Sequence, residues 1–291
     1  MIIDDSSPRE APPLDRDAIH DLSLQARHLL THEIWSILEG TYGLHRDGRF
    51  EPTGQLMAVQ ALPEVRETRA RLEHYLADEL TAGLKREDAA DKLVKEAAFT
   101  HLNRVVALKM LEARLLIRGT IDKYQDSNAF KFYLVDHPDD MALYDAGSLP
   151  QNAAGEGPRD VAYRHFLLWQ CGQFVHEINV LFDPGNLVSR LFPRPGVLKY
   201  LVDMVNRPDL SSAWALGNEE TIGWVYQYFN EEEKAKVFDR LFKQKQKIRR
   251  EDIPAATQLF TPDWIVRWIV HNTLGRMWVQ MHPDSFLVQT L

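Results

Sequence analysis

The sequence EDAADKLVKEAAFTHLNRVVALKMLEARLLIR, residues 87–118, predicts the clearest helix of the chain. Its apolar residues recur at helical spacing along one face, namely Leu93, Ala97, Leu102, Val106 and Met110. Three further leucines widen this face, Leu108, Leu111 and Leu115, and Gly119 ends the pattern. A wide apolar stripe is typical of a helix buried at the centre of a bundle. The stretch therefore predicts a fold built around a central helix. Its polar residues Asn103, Arg104 and Glu112 are interpreted as tethers between helices.

The rest of the chain also shows mainly helical patterns. Further helices are predicted at residues 15–39, 63–84, 159–181, 197–206, 220–229, 231–250 and 261–280. Residues 43–52 predict a loop or short hairpin. The periodicity breaks down over residues 122–158, which predicts a loop-rich connector pinned to the helices by its aromatic residues. The predicted fold class is mainly α, an irregular multi-helix bundle.

The composition excludes several classes of protein. The chain has 291 residues, of which 45% are apolar and 26% charged, and it is long enough to bury a sizeable core. A single cysteine, Cys171, excludes a disulfide framework and a cysteine-based zinc site, and predicts a buried thiol in a reducing cytosol. The sequence shows neither a membrane-length apolar run nor a signal peptide, so we expect a cytoplasmic protein. The formal net charge of −8 restricts nucleic-acid binding to a local basic patch.

Near the C-terminus, the apolar pair Leu259-Phe260, predicted to be extended, is followed directly by residues that favour a helix start. Thr261 is predicted to cap the helix, Pro262 suits the first helical position, and Asp263 complements the helix dipole. Free N–H groups at such a helix start form a seat for an anionic or polar small molecule. Most capped helices bind nothing, so spacing alone favours a structural interpretation.

The longer string Ile253-Pro254-Ala255-Ala256-Thr257-Gln258-Leu259-Phe260-Thr261-Pro262 resembles the AdoMet-binding motif X of adenine-N6 DNA methyltransferases. The likeness is to the phage-defence enzymes of the BREX/Pgl type, with type IIG restriction-methyltransferases as cousins. Residues 96–112 and 219–229 resemble the same family, in the same order along the chain. The resemblance implies a helical N-terminal region packed against a methyltransferase domain that uses S-adenosyl-L-methionine. It also implies that AdoMet is contacted by Thr257, Leu259, Phe260, Thr261 and Pro262.

Two elements that such an enzyme needs are missing from the sequence. The first is a glycine-rich turn after an apolar strand, whereas Gly155-Glu156-Gly157 follows polar and small residues. The second is an Asn/Asp-Pro-Pro-aromatic loop that grips a flipped adenine, whereas Pro12-Pro13 lies between Ala11 and Leu14. No zinc-protease motif is present either, because His32-Glu33 and His176-Glu177 each lack the second histidine. We therefore predict no catalytic residue and no metal site, and we expect a chain that is incomplete for catalysis on its own.

One concentrated basic run forms the end of the charged helix predicted at 231–250. It consists of Lys243, Lys245, Lys247, Arg249 and Arg250. Two interpretations remain open, a solvated helix end favoured by the helix dipole and a strip that contacts DNA phosphates. The aromatic segment at 223–229 is interpreted as helix core in preference to a base-stacking platform.

These patterns predict a five-part organisation. A disordered lead at 1–13 precedes a helical subdomain at 14–121, the connector at 122–158, a second helical subdomain at 159–252, and the start of a truncated methyltransferase domain at 253–291. The first hypothesis is the N-terminal part of an adenine-specific DNA methyltransferase in a BREX-like or restriction-modification system. Its partners would be double-stranded DNA, the remainder of the methyltransferase as a split or downstream chain, and other defence proteins. The alternative is a non-catalytic helical interaction module that binds defence partners or DNA.

Overall fold

A computed structural model describes residues 12–150, 155–248, 252–257 and 259–285 of the chain. Most of the predicted disordered lead lies outside the described residues, as do Arg249, Arg250 and Gln258. The described part of the chain is mainly helical and contains no strand, which confirms the predicted fold class. An isolated antiparallel bridge joins Leu44 to Phe50, within the segment predicted as a loop or short hairpin.

The chain divides into two compact units, Met1–Asn218 and Glu219–Leu291. The boundary predicted near residue 158 lies inside the first unit. The helices of the first unit are α1 (Arg16–Tyr42), α2 (Met57–Ala61), α3 (Pro63–Thr81), α4 (Arg86–Ala113), α5 (Asn128–Asp136), α6 (Pro138–Asp145), α7 (Pro158–Gly172), α8 (Asn179–Phe182), α9 (Leu187–Arg190), α10 (Pro195–Val205) and α11 (Ser211–Trp214).

Helices α1, α3 and α4 form the main core of the first unit. The Asp15 carboxylate caps α1 by accepting the Ala18 N–H at 3.0 Å, and Gly43 ends the helix with a φ of 62°. A buried apolar cluster joins these helices to α9, and it includes Ile34, Leu38, Leu72, Leu76, Leu93, Ala97 and Val188. The five residues that predict the apolar face of α4 are all buried. The prediction of a central helix is therefore confirmed.

Helix α4 ends at Ala113, before the predicted end at residue 118. The carboxylate of Glu112 accepts the backbone N–H groups of Thr120 and Ile121 at 2.7 and 2.6 Å, which folds the chain back over the helix end. Leu115 adopts a left-handed conformation with a φ of 59° in this reversal. The side chain of Leu115 is 89% exposed, so its predicted place on the buried face is wrong.

The loop-rich connector predicted at 122–158 is also wrong, because α5 and α6 form there. Both helices are too short to show a clear helical period in the sequence. Pro138 opens α6, a position that suits its fixed φ. The predicted pinning by aromatic residues is confirmed for Phe130 and Tyr133, which are buried, with Phe130 5.2 Å from the ring of Phe166. Phe132, in contrast, is exposed.

Helix α7 ends at Gly172 and does not continue to the predicted residue 181, because turns lead from it to α8. Arg104 of α4 holds this region by donating Nε–H to the Leu181 carbonyl at 2.6 Å and Nη2–H to the Asp183 carbonyl at 3.0 Å. The tethering role predicted for Arg104 is confirmed. Cys171 is buried as expected, and this burial raises the pKa of its thiol to about 11.

The second unit contains α12 (Thr221–Phe229), α13 (Glu231–Phe242), α14 (Ile253–Thr257), α15 (Asp263–Val270), a π-helical turn (His271–Gly275) and α16 (Arg276–Met281). The last three follow one another without a break, and we call residues 263–281 the apolar helix. It ends before His282-Pro283, as predicted. Helix α13 stops at Phe242, so the prediction that it extends to residue 250 is wrong. Within the described ranges, no helix has both the length and the apolar character needed to cross a membrane.

Candidate cofactor-binding turn

Residues 259–262 lead from α14 to the apolar helix, and together with Thr257, the last residue of α14, we call them the motif turn. All five residues predicted to contact AdoMet lie in this one segment. The Thr257 hydroxyl donates to the Ile253 carbonyl at 2.8 Å, so it is engaged within α14. Leu259 is 66% exposed and Thr261 is also exposed, whereas Pro262 is half-buried. The contacts of these residues with AdoMet remain a prediction.

Phe260 anchors the motif turn on α12. Its backbone N–H donates to the Gln227 side-chain oxygen at 3.2 Å. Its ring meets the Trp224 ring edge-on, with centroids 5.4 Å apart and planes at 67°. The ring also lies directly over Gly223, where the missing side chain leaves room for it. We call Gly223, Trp224 and Gln227 the Phe260 seat.

The apolar helix begins differently from the prediction. Pro262 occupies the cap position, and no side chain caps the helix, so the predicted capping role of Thr261 is wrong. The first helical residue is Asp263, whose backbone N–H donates to the Glu220 carboxylate at 3.2 Å. A carboxylate from the residue preceding α12 thus takes the place that the Thr261 hydroxyl was predicted to fill. The Asp263 carboxylate lies 2.5 Å from Arg267 Nε, one helical turn further on.

Sequence reasoning missed the residues in and next to α12 that hold the motif turn, Glu220, Gly223 and Gln227. The predicted role of residues 223–229 as helix core is confirmed for the buried Trp224 and Phe229. A glycine in a short, largely aromatic and apolar helix is the available signal, because such a glycine weakens the helix and often permits a close approach. Base stacking by this segment stays a hypothesis.

The apolar helix exposes large hydrophobic side chains along its whole length. They are Trp264, Val266, Trp268, Ile269, Val270, Leu274, Met277, Trp278 and Met281. An exposed apolar surface of this extent is typical of an interaction site. Four of its seven polar side chains are engaged locally, since Asp263 pairs with Arg267 and both Asn272 and Thr273 donate to carbonyls of the preceding turn.

The described part of the basic run is exposed and extends beyond α13. Lys243 is the C-cap of this helix, and its ammonium lies 2.9 Å from the Asp239 carboxylate. Lys245 adopts a left-handed conformation, with a φ of 53°, and Lys247 follows in irregular structure. Because α13 has already ended, Lys245 and Lys247 are not part of a helix end. DNA contact by the run remains a prediction.

The Gly155-Glu156-Gly157 segment has a structural role in the first unit. The Gly157 N–H donates to the Asp160 carboxylate at 2.9 Å at the start of α7, and Glu156 pairs with Arg164 at 2.7 Å. A side chain at Gly157 would collide with the Ser148 backbone. Gly157 therefore serves the start of α7 and its close packing against Ser148. The described residues also contain no group of three or more His, Cys, Asp or Glu side chains placed to hold a metal ion.

Comparison with known proteins identifies the family to which the chain belongs. No family model matches the chain. The adenine-specific methyltransferase PglX of Lacticaseibacillus casei (strain Zhang) is 32% identical over 298 aligned residues, covering 93% of this chain and 24% of the relative. The adenine-specific methyltransferase BrxX of Escherichia coli O9:H4 (strain HS) is 34% identical over 214 residues, covering 69% of this chain and 16% of the relative. The chain therefore spans a quarter or less of the length of these relatives. It belongs to the family of BREX/Pgl-type adenine-specific methyltransferases.

Proposed function

We propose that this chain is the N-terminal helical part of an AdoMet-dependent adenine-N6 DNA methyltransferase of a phage-defence system. The observation that carries the proposal is its 32% identity to PglX over 93% of the chain. The match extends over most of the chain, so it does not rest on a single motif. The chain spans only a quarter of that relative, which agrees with the missing glycine-rich and Asn-Pro-Pro elements. We therefore propose that the chain is incomplete for catalysis on its own.

Within this enzyme, the motif turn would supply one wall of the AdoMet pocket, at the start of the methyltransferase domain. Three features support this role. The turn is anchored through Phe260, it leaves Leu259 and Thr261 exposed beside the anchor, and it leads into a helix start. AdoMet carries a polar amino-acid end and an apolar adenine face, so a wall that combines exposed apolar and hydroxyl side chains suits it. The reacting groups that act on adenine would come from the remainder of the methyltransferase.

The apolar helix would pack against that remainder. At about 25 cal/mol per Å² of apolar surface buried, covering the exposed part, roughly two-thirds, of one tryptophan side chain of about 150–250 Å² contributes about 2.5–4 kcal/mol. The exposed Trp264 and Trp268 are separated by one helical turn, so they would enter the same interface. This packing would complete both the pocket and the fold of the methyltransferase domain.

Calorimetric titration with AdoMet tests the proposal. The comparison uses this chain alone and this chain extended by the remaining methyltransferase, with and without Phe260→Ala. We expect binding by the extended protein and affinity at least about tenfold lower for the Phe260→Ala variant, a loss of about 1.4 kcal/mol. Phe132→Ala is the matched control, because Phe132 is an exposed phenylalanine of the first unit.

Absence of AdoMet binding by both forms would overturn the proposal. Unchanged affinity of the extended Phe260→Ala variant would overturn the role of the motif turn. If the chain alone binds DNA or defence proteins while neither form binds AdoMet, the non-catalytic interaction module takes the place of the methyltransferase.

A further inference from the structure

A glycine lies in the first turn of α12, where it weakens the helix. Gly223 is the third residue of this nine-residue helix. Glycine is the poorest helix former apart from proline, because it loses the most conformational freedom on folding. The backbone at this position is not in the left-handed region that would require glycine. Glycine is needed at this position because Phe260 packs directly against it.

The ring of Phe260 occupies the space that a side chain at position 223 would fill. A Cβ atom placed there would lie 2.0 Å from both Cδ2 and Cε2 of Phe260, and 2.6 Å from Cγ. Carbon atoms do not approach this closely, since their optimal separation is about 3.5–4.0 Å. The close Cγ contact means that rotating the ring cannot relieve the collision. An alanine at 223 must therefore push the whole Phe260 side chain off α12.

A second contact fixes the backbone of the same residue. Gln227 lies four positions after Gly223, on the same face of α12. Its side-chain oxygen accepts the Phe260 N–H at 3.2 Å. The Trp224 ring closes the seat from the side. One helix face thus holds both the ring and the backbone of Phe260.

We propose that Gly223 and Gln227 are positioning residues of the AdoMet pocket, acting through Phe260. By fixing Phe260, they set the path of the backbone on either side, and with it the exposed side chains of Leu259 and Thr261. Neither positioning residue needs to touch the cofactor. This inference rests on the proposed function, and it identifies α12 as the support of the cofactor wall.

The test measures AdoMet affinity in the extended protein for Gly223→Ala, Phe260→Ala and the double variant. Overpacking of this kind is destabilising, so we expect Gly223→Ala to weaken AdoMet binding about tenfold. In the Phe260→Ala background the collision is gone, so Gly223→Ala should change the affinity less than about twofold. Gly196→Ala is the matched control, because Gly196 lies in α10 with open space around its Cα. Circular dichroism verifies that every variant is folded.

Two substitutions of Gln227 separate hydrogen bonding from bulk. Gln227→Glu keeps an acceptor for the Phe260 N–H and should retain AdoMet affinity, whereas Gln227→Met, of similar size, should weaken it. Equal affinities of these two variants would contradict the role of the hydrogen bond.

Two outcomes would overturn the inference. One is unchanged affinity of folded Gly223→Ala while Phe260→Ala weakens binding, and this outcome leaves the proposed function intact. The other is an equal loss from Gly223→Ala in both backgrounds, because the glycine would then act independently of Phe260. Failure of the proposed function is recognised separately, by absence of AdoMet binding in the unsubstituted extended protein.

Discussion

The burial of His101 makes the stability of the first unit depend on pH. His101 lies on α4 with only 3% of its surface exposed, and its Nε2 lies 3.1 Å from the Leu191 carbonyl. Its ring meets Phe192 edge-on at 5.5 Å. Burial, together with the nearby Arg104 charge, lowers the pKa of His101 from 6.5 to about 3. The imidazole is therefore neutral in the folded protein at all but strongly acidic pH.

The size of the effect follows from the two pKa values. The pKa of histidine in an unfolded chain is about 6.5, so between about pH 6.5 and pH 3 the unfolded state binds a proton that the folded state does not. The stability associated with neutral His101 is fully present above about pH 6.5 and is lost as the pH falls toward about 3. At about 1.4 kcal/mol for each pH unit, the loss reaches about 3 kcal/mol at about pH 4 and about 5 kcal/mol at about pH 3. A loss of this size approaches the whole free energy of unfolding of a small domain.

Urea unfolding between about pH 7 and pH 4 measures this loss for the unsubstituted chain and for His101→Gln. Glutamine retains a donor for the Leu191 carbonyl but does not titrate. We expect the unsubstituted chain to lose about 3 kcal/mol more than His101→Gln over this range. His74→Gln, which replaces an exposed histidine, should follow the unsubstituted chain. If His101→Gln and the unsubstituted chain show the same pH dependence, the reasoning is refuted.

Three further predictions concern single groups and the basic run. Cys171 should react with a thiol reagent only after denaturation, because burial raises its pKa to about 11, and rapid labelling of the folded chain would contradict this. Glu112→Gln should lower the free energy of urea unfolding by about 2–3 kcal/mol, because it removes the charge of a buried acceptor of backbone N–H groups, whereas the exposed Glu87→Gln should change it by about 1 kcal/mol or less. Equal effects of the two substitutions would show that the Glu112 hydrogen bonds contribute little. Replacing the basic run with glutamine should reduce the log–log salt slope of DNA binding by about 0.9 for each DNA phosphate that the run neutralises, while replacing Lys234 and Lys236 of α13 should leave it unchanged. The same slope in all variants would identify the run as a solvated chain segment.

The long helices of the first unit could be predicted from the sequence because their signals are local. The apolar residues that define α1 and α4 lie within these helices, and Gly43 stands directly at the end of α1. The end of α4 could not be predicted in this way. The helix ends there because the Glu112 carboxylate accepts backbone N–H groups eight and nine residues further along the chain. A pattern of apolar residues gives no sign of such hydrogen bonds. Helices α5 and α6 were missed for a simpler reason, because each is too short to establish a period.

The candidate site shows the same division between local and distant signals. The resemblance to motif X places the predicted AdoMet contacts within the short segment 257–262, but the sequence predicts the wrong cap for the helix that follows. The Asp263 N–H meets Glu220, a residue 43 positions earlier, and this hydrogen bond replaces the local Thr261 hydroxyl. The Phe260 seat is likewise formed by residues far apart in the sequence. The need for glycine at position 223 becomes clear only when the Phe260 ring is seen to pack against it. Sequence reasoning thus found the residues of the turn but not the helix that holds them.

Hydrogen exchange with and without AdoMet tests whether the motif turn forms part of the AdoMet pocket, because it reports where on the chain the cofactor acts. The measurement uses this chain extended by the remaining methyltransferase, and it follows amide protection in peptides covering the motif turn. If the motif turn is a wall of the pocket, AdoMet slows exchange at residues 259–266 and leaves α1 and α3 unchanged. AdoMet binding that protects other parts of the protein but leaves residues 259–266 unchanged would contradict it.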